Sequence, residues 1–271
     1  MGGTDVGADA RFDRFVGIDY SGAETSGRRL AGLQVYAASR GGEPGPVIPI
    51  EGGRHWNRRG VARWLRDRIL GGERLLVGID HGFSFPESYF ERYALSDWPT
   101  FLDDFCRYWP TADGDVRVDD VRTGAVWRIR PKPAGERVGH STDLRLCERW
   151  TSSAKSVFLF DVQGSVAKST HAGLPWLKYL RDECGARLHW WPFDGWQPAP
   201  GASVIAEMFP SVFRHRYARA ARSVDAHDAC ALARWLADTE ARGALARYFD
   251  PPLDDRERAQ ALREGWILGI S

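Results

Sequence analysis

Phe15-Val16-Gly17-Ile18-Asp19-Tyr20-Ser21-Gly22 is the stretch that decides how the rest of the chain reads. A short apolar run, the length of a buried strand, stops at an acid, and small residues able to turn follow it. Leu75-Leu76-Val77-Gly78-Ile79-Asp80 repeats the pattern, and Val204-Ile205-Ala206-Glu207 repeats it again. A fourth acidic site, Asp225 with Asp228, stands immediately before the apolar run Ala229-Cys230-Ala231-Leu232. An acid at the edge of a buried element is costly unless something pairs with it. Four such sites from distant segments therefore point to convergence on a divalent metal and to phosphoryl-transfer chemistry of a nuclease-like kind.

Outward from Phe15, the turn Tyr20–Gly27 leads to a second strand over Arg29–Ala38, then to a third over Val47–Ile50. Asn57 precedes an amphipathic helix from about Arg58 to Leu70, with Val61, Trp64, Leu65 and Ile69 on one face and Gly71-Gly72 as its stop. Leu75–Asp80 follows, so the order is β-β-β-α-β. Later segments with helical spacing are Tyr89–Leu95, Thr100–Trp109, Leu174–Cys184 (Pro175 in its first turn), Pro210–Ala221 and Ala226–Thr239. Val157–Val162, Arg187–Phe193 and Val204–Met208 read as strands. Residues 1–13 read as a disordered lead-in and 14–271 as a single α/β domain. An insertion or flexible cover is expected at about 87–170, because 114–139 is polar and rich in turns.

The net charge of +1 excludes a protein that coats itself in positive charge to hold polyanions, though not one with a local basic groove. Cys106, Cys147, Cys184 and Cys230 are far apart, with no CxxC and no zinc spacing, as expected of reduced thiols in a cytoplasmic protein. No stretch is long and apolar enough to span a membrane, and Met1–Ala10 has no apolar core of a signal peptide.

A phosphodiester reaction needs charge neutralised at the attacking and leaving oxygens, which carboxylate-held Mg²⁺ or Mn²⁺ can supply. Asp225 and Asp228 are three apart and share a face of a helix start, where they equally suit helix capping. Asp19 and Asp80 suit turn formation as well as metal binding. Glu207, embedded in an apolar strand, is the hardest of the acids to explain without a function.

These motifs resemble those of the DUF429 family, described as RNase H-like nucleases. Val16–Ala23 is similar to that family's opening strand and turn, Gly78–Pro86 to its second motif, Glu207-Met208-Phe209-Pro210 to its Glu-x-x-Pro, and Asp225–Ala233 to its last helix. The resemblance implies a three-layer RNase H-like fold, a mixed sheet flanked by helices. It implies Asp19, Glu207 and Asp228 as core metal ligands, with Asp80 and Asp225 as supports. The chain departs from the family pattern at His81-Gly82, where an apolar residue and Pro are usual, and His81 is either an exposed loop residue, an extra ligand or a proton-transfer group.

For substrate, Arg219 and Arg222 would share a helix face near the acid pair and hold a phosphate, and Arg28 after the first turn is a similar candidate. Trp127–Lys132 interleaves aromatic and basic residues, as suits stacking on unpaired bases. The leading expectation is a Mg²⁺- or Mn²⁺-dependent nuclease-like phosphodiester hydrolase acting on nucleic acid. The alternatives are a non-catalytic nucleic-acid or protein binding module on the same fold and an actin-like ATP-dependent phosphotransferase.

Overall fold

In the computed structural model, which describes residues 11–50, 52–151 and 153–271, the opening stretch is a central strand. β1 (Arg14–Asp19) runs antiparallel to β2 (Gln34–Ser39), which carries a two-residue β3 (Gly45–Pro46) on its outer side. α1 (Arg58–Leu70) crosses to β4 (Leu75–Asp80), parallel to β1. After it come α2 (Glu87–Tyr93), α3 (Trp98–Tyr108), α4 (Val118–Arg122), α5 (Leu146–Trp150) and α6 (Ala167–Cys184). β5 (Leu188–Trp191) and β6 (Ser203–Glu207) complete a six-stranded mixed sheet in the order β3-β2-β1-β4-β6-β5. The chain ends in α7 (Val224–Ala241), α8 (Leu245–Phe249) and α9 (Asp255–Glu264).

Helices cover both faces of the sheet. Side chains alternate along each strand, so Val16, Ile18, Val77, Ile79 and Ile205 join one core with residues of α1, α3 and α6. Phe15, Leu76, Val204 and Ala206 join another with Leu232, Trp235 and Leu236 of α7. Gly17 sets the height of α7 over the sheet. A Cβ there would lie 2.1 Å from the Ala229 carbonyl oxygen, so only glycine permits this backbone-to-backbone approach. No helix among the described residues is long and apolar enough to cross a membrane.

Several sequence expectations change. The second strand starts at Gln34, because Leu30–Leu33 forms a turn closed by the Leu33 N–H on the Leu30 carbonyl. The third is Gly45–Pro46 rather than Val47–Ile50; Pro46 and Pro49 have no N–H to extend a ladder. Val157–Val162 forms turns instead of a strand, and Val157 and Phe158 plug the core. Residues 87–170 are no loose cover, since Tyr89, Phe90, Trp98, Phe101, Phe105 and Phe158 all belong to the first core. Most of the expected lead-in, residues 1–10, lies outside the described residues; Phe12 is already buried and Asp13 already pairs with Arg74.

α6 starts seven residues before the expected Leu174, which leaves Pro175 inside the helix. Proline has no N–H to give the carbonyl four residues back, that of His171. The Thr111 hydroxyl donates to that carbonyl at 2.6 Å, a partner supplied from another segment. Pro210–Ala221 is not a helix. It forms two short 3-10 turns, Pro210–Val212 and Arg214–Arg216, held down by Phe213 against Trp235 and followed by a loop in which Ala220 has a positive φ.

Candidate active site

Asp19 and Asp80 end adjacent parallel strands in register, so they stand side by side at the carboxyl edge of the sheet, on the face that carries α7. Neither side chain has a hydrogen-bond partner among the described residues. Burial raises the proton affinity of both, and neighbouring acids raise it further. For Asp19 those neighbours are Asp80, Asp225 and Asp228; for Asp80 they are Asp228 and Glu207. Arg214 acts in the opposite sense on both.

α7 supplies the second pair. Ser223 caps it by accepting from the Ala226 N–H, so the cap position falls to Ser223 and both aspartates are left over. Asp228 is buried and faces the sheet edge because Gly17 lets α7 come so close. Burial raises its proton affinity, and Arg214 opposes this. Arg214 Nη1 donates to Asp228 Oδ2 at 3.0 Å, while Asp228 Oδ1 is buried with no partner among the described residues. Asp225 Oδ2 lies against Gly32, where a Cβ would be 3.5 Å from it.

Glu207 is situated differently. β6 is offset by one residue, so that Glu207 pairs with Ile79 rather than Asp80, and alternation turns its side chain to the opposite face. There Arg145 donates to both of its oxygens, at 2.6 and 2.7 Å, and the Phe83 N–H donates to Oε2 at 2.9 Å. Arg145 also donates to Glu148 at 2.9 Å. All three side chains are at most 6% exposed. Breaking such a buried pair costs about 3–5 kcal/mol, whereas an exposed one contributes no more than about 1 kcal/mol. Glu207 is therefore committed to Arg145. Asp228 is held only by the exposed Arg214 and can release it.

The turn after β1 is fixed from beneath. Arg58, buried at the start of α1, donates to the carbonyls of Ser21, Ala23 and Glu24 at 2.7–3.0 Å. A Cβ on Gly22 would meet the backbone of Lys168 at 2.1 Å, so glycine lets the turn rest on the first turn of α6. His81 is not an exposed loop residue. It is buried edge-on against Tyr20, with ring centroids 4.6 Å apart, and occupies the space left by Gly173. Burial lowers its pKa to about 4, so it is neutral, and its Nε2 and the Tyr20 hydroxyl have no partner among the described residues.

The expected substrate arginines do not gather at this edge. Arg219 and Arg222 fold back on loop carbonyls, Arg219 donating to that of Arg222 and Arg222 to that of Ala218, and they share no helix face. Arg28 is exposed beyond the turn. Arg214, Arg145 and Arg58 are the arginines that matter here. Only the first lies in a run the sequence marks out, and nothing in the flanks of the other two distinguishes them from the many remaining arginines.

The site is therefore a set of four aspartates in electrostatic contact at one sheet edge, with one displaceable arginine. Among the described residues, no three His, Cys, Asp or Glu side chains already close around a point where a metal would sit. The donors are all hard oxygens, suited to Mg²⁺ or Mn²⁺ rather than to a soft metal. No family model, curated protein or solved structure matches this chain.

Proposed function

We propose that this chain is a metal-dependent, nuclease-like phosphodiester hydrolase with an RNase H-like arrangement of sheet and helices. Asp19, Asp80, Asp225 and Asp228 would hold Mg²⁺ or Mn²⁺. The observation that carries the reading is the in-register pair Asp19 and Asp80, unpartnered and facing Asp228 across the contact at Gly17. Carboxylates crowded without a cation hold protons tightly, and a divalent ion removes that penalty by replacing the proton. Bound there, the ion would supply an activated water and neutralise charge developing on the phosphate. Arg214, once released from Asp228, would pair with a non-bridging phosphate oxygen. Glu207 leaves the ligand set and instead positions the Asp80 loop, by accepting the Phe83 N–H while Arg145 holds it.

Asp19→Asn and Asp228→Asn should each abolish Mn²⁺-dependent cleavage of nucleic acid while the circular dichroism spectrum stays that of the parent. Undiminished cleavage in both variants would refute the assignment. A non-catalytic binding module on the same fold is favoured by one observation, the Arg214–Asp228 pair in place of a closed ligand set. Calorimetric titration with Mn²⁺ separates the two readings, because only the hydrolase requires uptake at these aspartates.

A further inference from the structure

Away from the acidic edge, a cavity of about 440 Å³ opens between the 87–170 region and α6. His171 is a buried polar residue in its wall. Its ring lies 4.3 Å from Trp109, 4.7 Å from Phe160 and 5.0 Å from Phe85, centroid to centroid. Burial drives its pKa down to about 3, so the imidazole is neutral. Its Nδ1 is 2.8 Å from the Ala167 carbonyl, which can only accept, so Nδ1 carries the proton and Nε2 is left as a lone-pair acceptor. Nε2 has no partner among the described residues, and His171 lines the cavity. The Tyr89 hydroxyl, on another wall, is buried and without a partner among the described residues. An aromatic enclosure with an unmet acceptor calls for a flat ligand that carries an N–H donor.

The mouth has a different chemistry. Arg122 lies over the Phe160 ring at 4.4 Å and pairs with Asp119 and Asp161, and Lys132 pairs with Glu136. All three of those acids are more than half exposed, so each pair is weak and gives way to a more highly charged anion. Trp109 and Phe160 present ring planes within 10° of parallel. We propose that this cavity binds a nucleotide unit, with the base against the aromatic walls donating an N–H to His171 Nε2 and the phosphate at Arg122 and Lys132. Of the aromatic-and-basic run Trp127–Lys132, the two end residues, Trp127 and Lys132, line the cavity. This site stands on its own lining and does not depend on the acidic edge being a hydrolase.

The experiment is quenching of tryptophan fluorescence in EDTA, where no cleavage can occur, using the four nucleoside 5′-monophosphates, a single-stranded tetranucleotide and ribose 5-phosphate. At least one monophosphate or the tetranucleotide should bind, and which of them binds tells whether the unit is free or within a strand. Ribose 5-phosphate, which has no base, should not compete. His171→Phe keeps the ring and removes the acceptor, and should weaken binding about tenfold, the worth of one buried hydrogen bond. Lys132→Glu, at an exposed position that does not bear on folding, should weaken it as well. Asp19→Asn should leave it unchanged. The proposal is overturned if no nucleotide or tetranucleotide binds, if ribose 5-phosphate competes as well as a nucleotide, or if both His171→Phe and Lys132→Glu bind as the parent does.

Discussion

Replacing Arg145 by Met removes a charge while keeping most of the side chain's volume, and its cost follows from the contacts. Arg145 is the cation facing both Glu207 and Glu148, and all three side chains are shut away from water. With the guanidinium gone, two carboxylates must either stay charged in a low-dielectric interior or take up protons on folding. The expected loss is about 3–5 kcal/mol. For a chain of this size that is a fall in melting temperature of roughly 6–20 °C. The loss depends on pH, with a definite sign. Burial already raises the proton affinity of Glu148 against the pull of Arg145, so without Arg145 its folded pKa rises further above the unfolded value of about 4.3, and the variant comes closest to the parent below that pH and falls away as pH rises. Glu207→Gln should cost less, about 1–3 kcal/mol, because the amide keeps one acceptor for Arg145, which also keeps Glu148. Thermal denaturation followed by circular dichroism at about pH 5 and about pH 8 reads both effects. A melting temperature for Arg145→Met equal to the parent's at the higher pH would refute the placing of Arg145 as the buried partner of Glu207, and would return Glu207 to the set of candidate metal ligands.

Two further outcomes follow from the same contacts. Asp19 and Asp80 have folded pKa values raised to about 9 and about 8, so their contribution to stability is fully present below about pH 4 and is lost progressively as pH rises from there through those values. The metal-free protein should therefore melt at lower temperature as pH rises, Asp19→Asn should flatten that slope, and a slope identical in parent and variant would contradict the coupling. Thr111→Val should cost about 1–3 kcal/mol by stranding the His171 carbonyl beside Pro175. Hydrogen exchange that leaves the amides of α6 as protected as in the parent would show that the hydroxyl is not needed there.

Much of the scaffold was legible along the chain. The run Phe15–Asp19, its repeat at Leu75–Asp80, and the helix beginning at Arg58 all carry their periodicity in neighbouring residues, and the structure forms them where that periodicity places them. α6 was only half legible, because proline ordinarily marks a first turn and the residue that accommodates it inside the helix, Thr111, lies in a different segment. The run Arg214–Arg222 has helical composition yet forms turns and a loop, because Phe213 is anchored on Trp235, a contact made only once α7 is in place.

The candidate site divides in the same way. That Asp19, Asp80, Asp225 and Asp228 flank buried elements is written in local hydrophobic patterning, which each short segment holds by itself. Which acids meet depends on sheet register and helix approach. A one-residue offset of β6 turns Glu207 to the other face, and the missing Cβ at Gly17 brings Asp228 to Asp19 and Asp80. Along the sequence Glu207 reads as functional because a core glutamate with no neighbour to pair with is costly, but its partner, Arg145, is far away along the chain. The buried strands, the helices that begin at Arg58 and Val224, and the acids at their ends are written in the order of apolar and polar residues over a few positions. Which acids remain free, which one is neutralised, and where His171 and His81 lie emerge on folding, because pairing and burial are properties of residues brought together from distant parts of the chain.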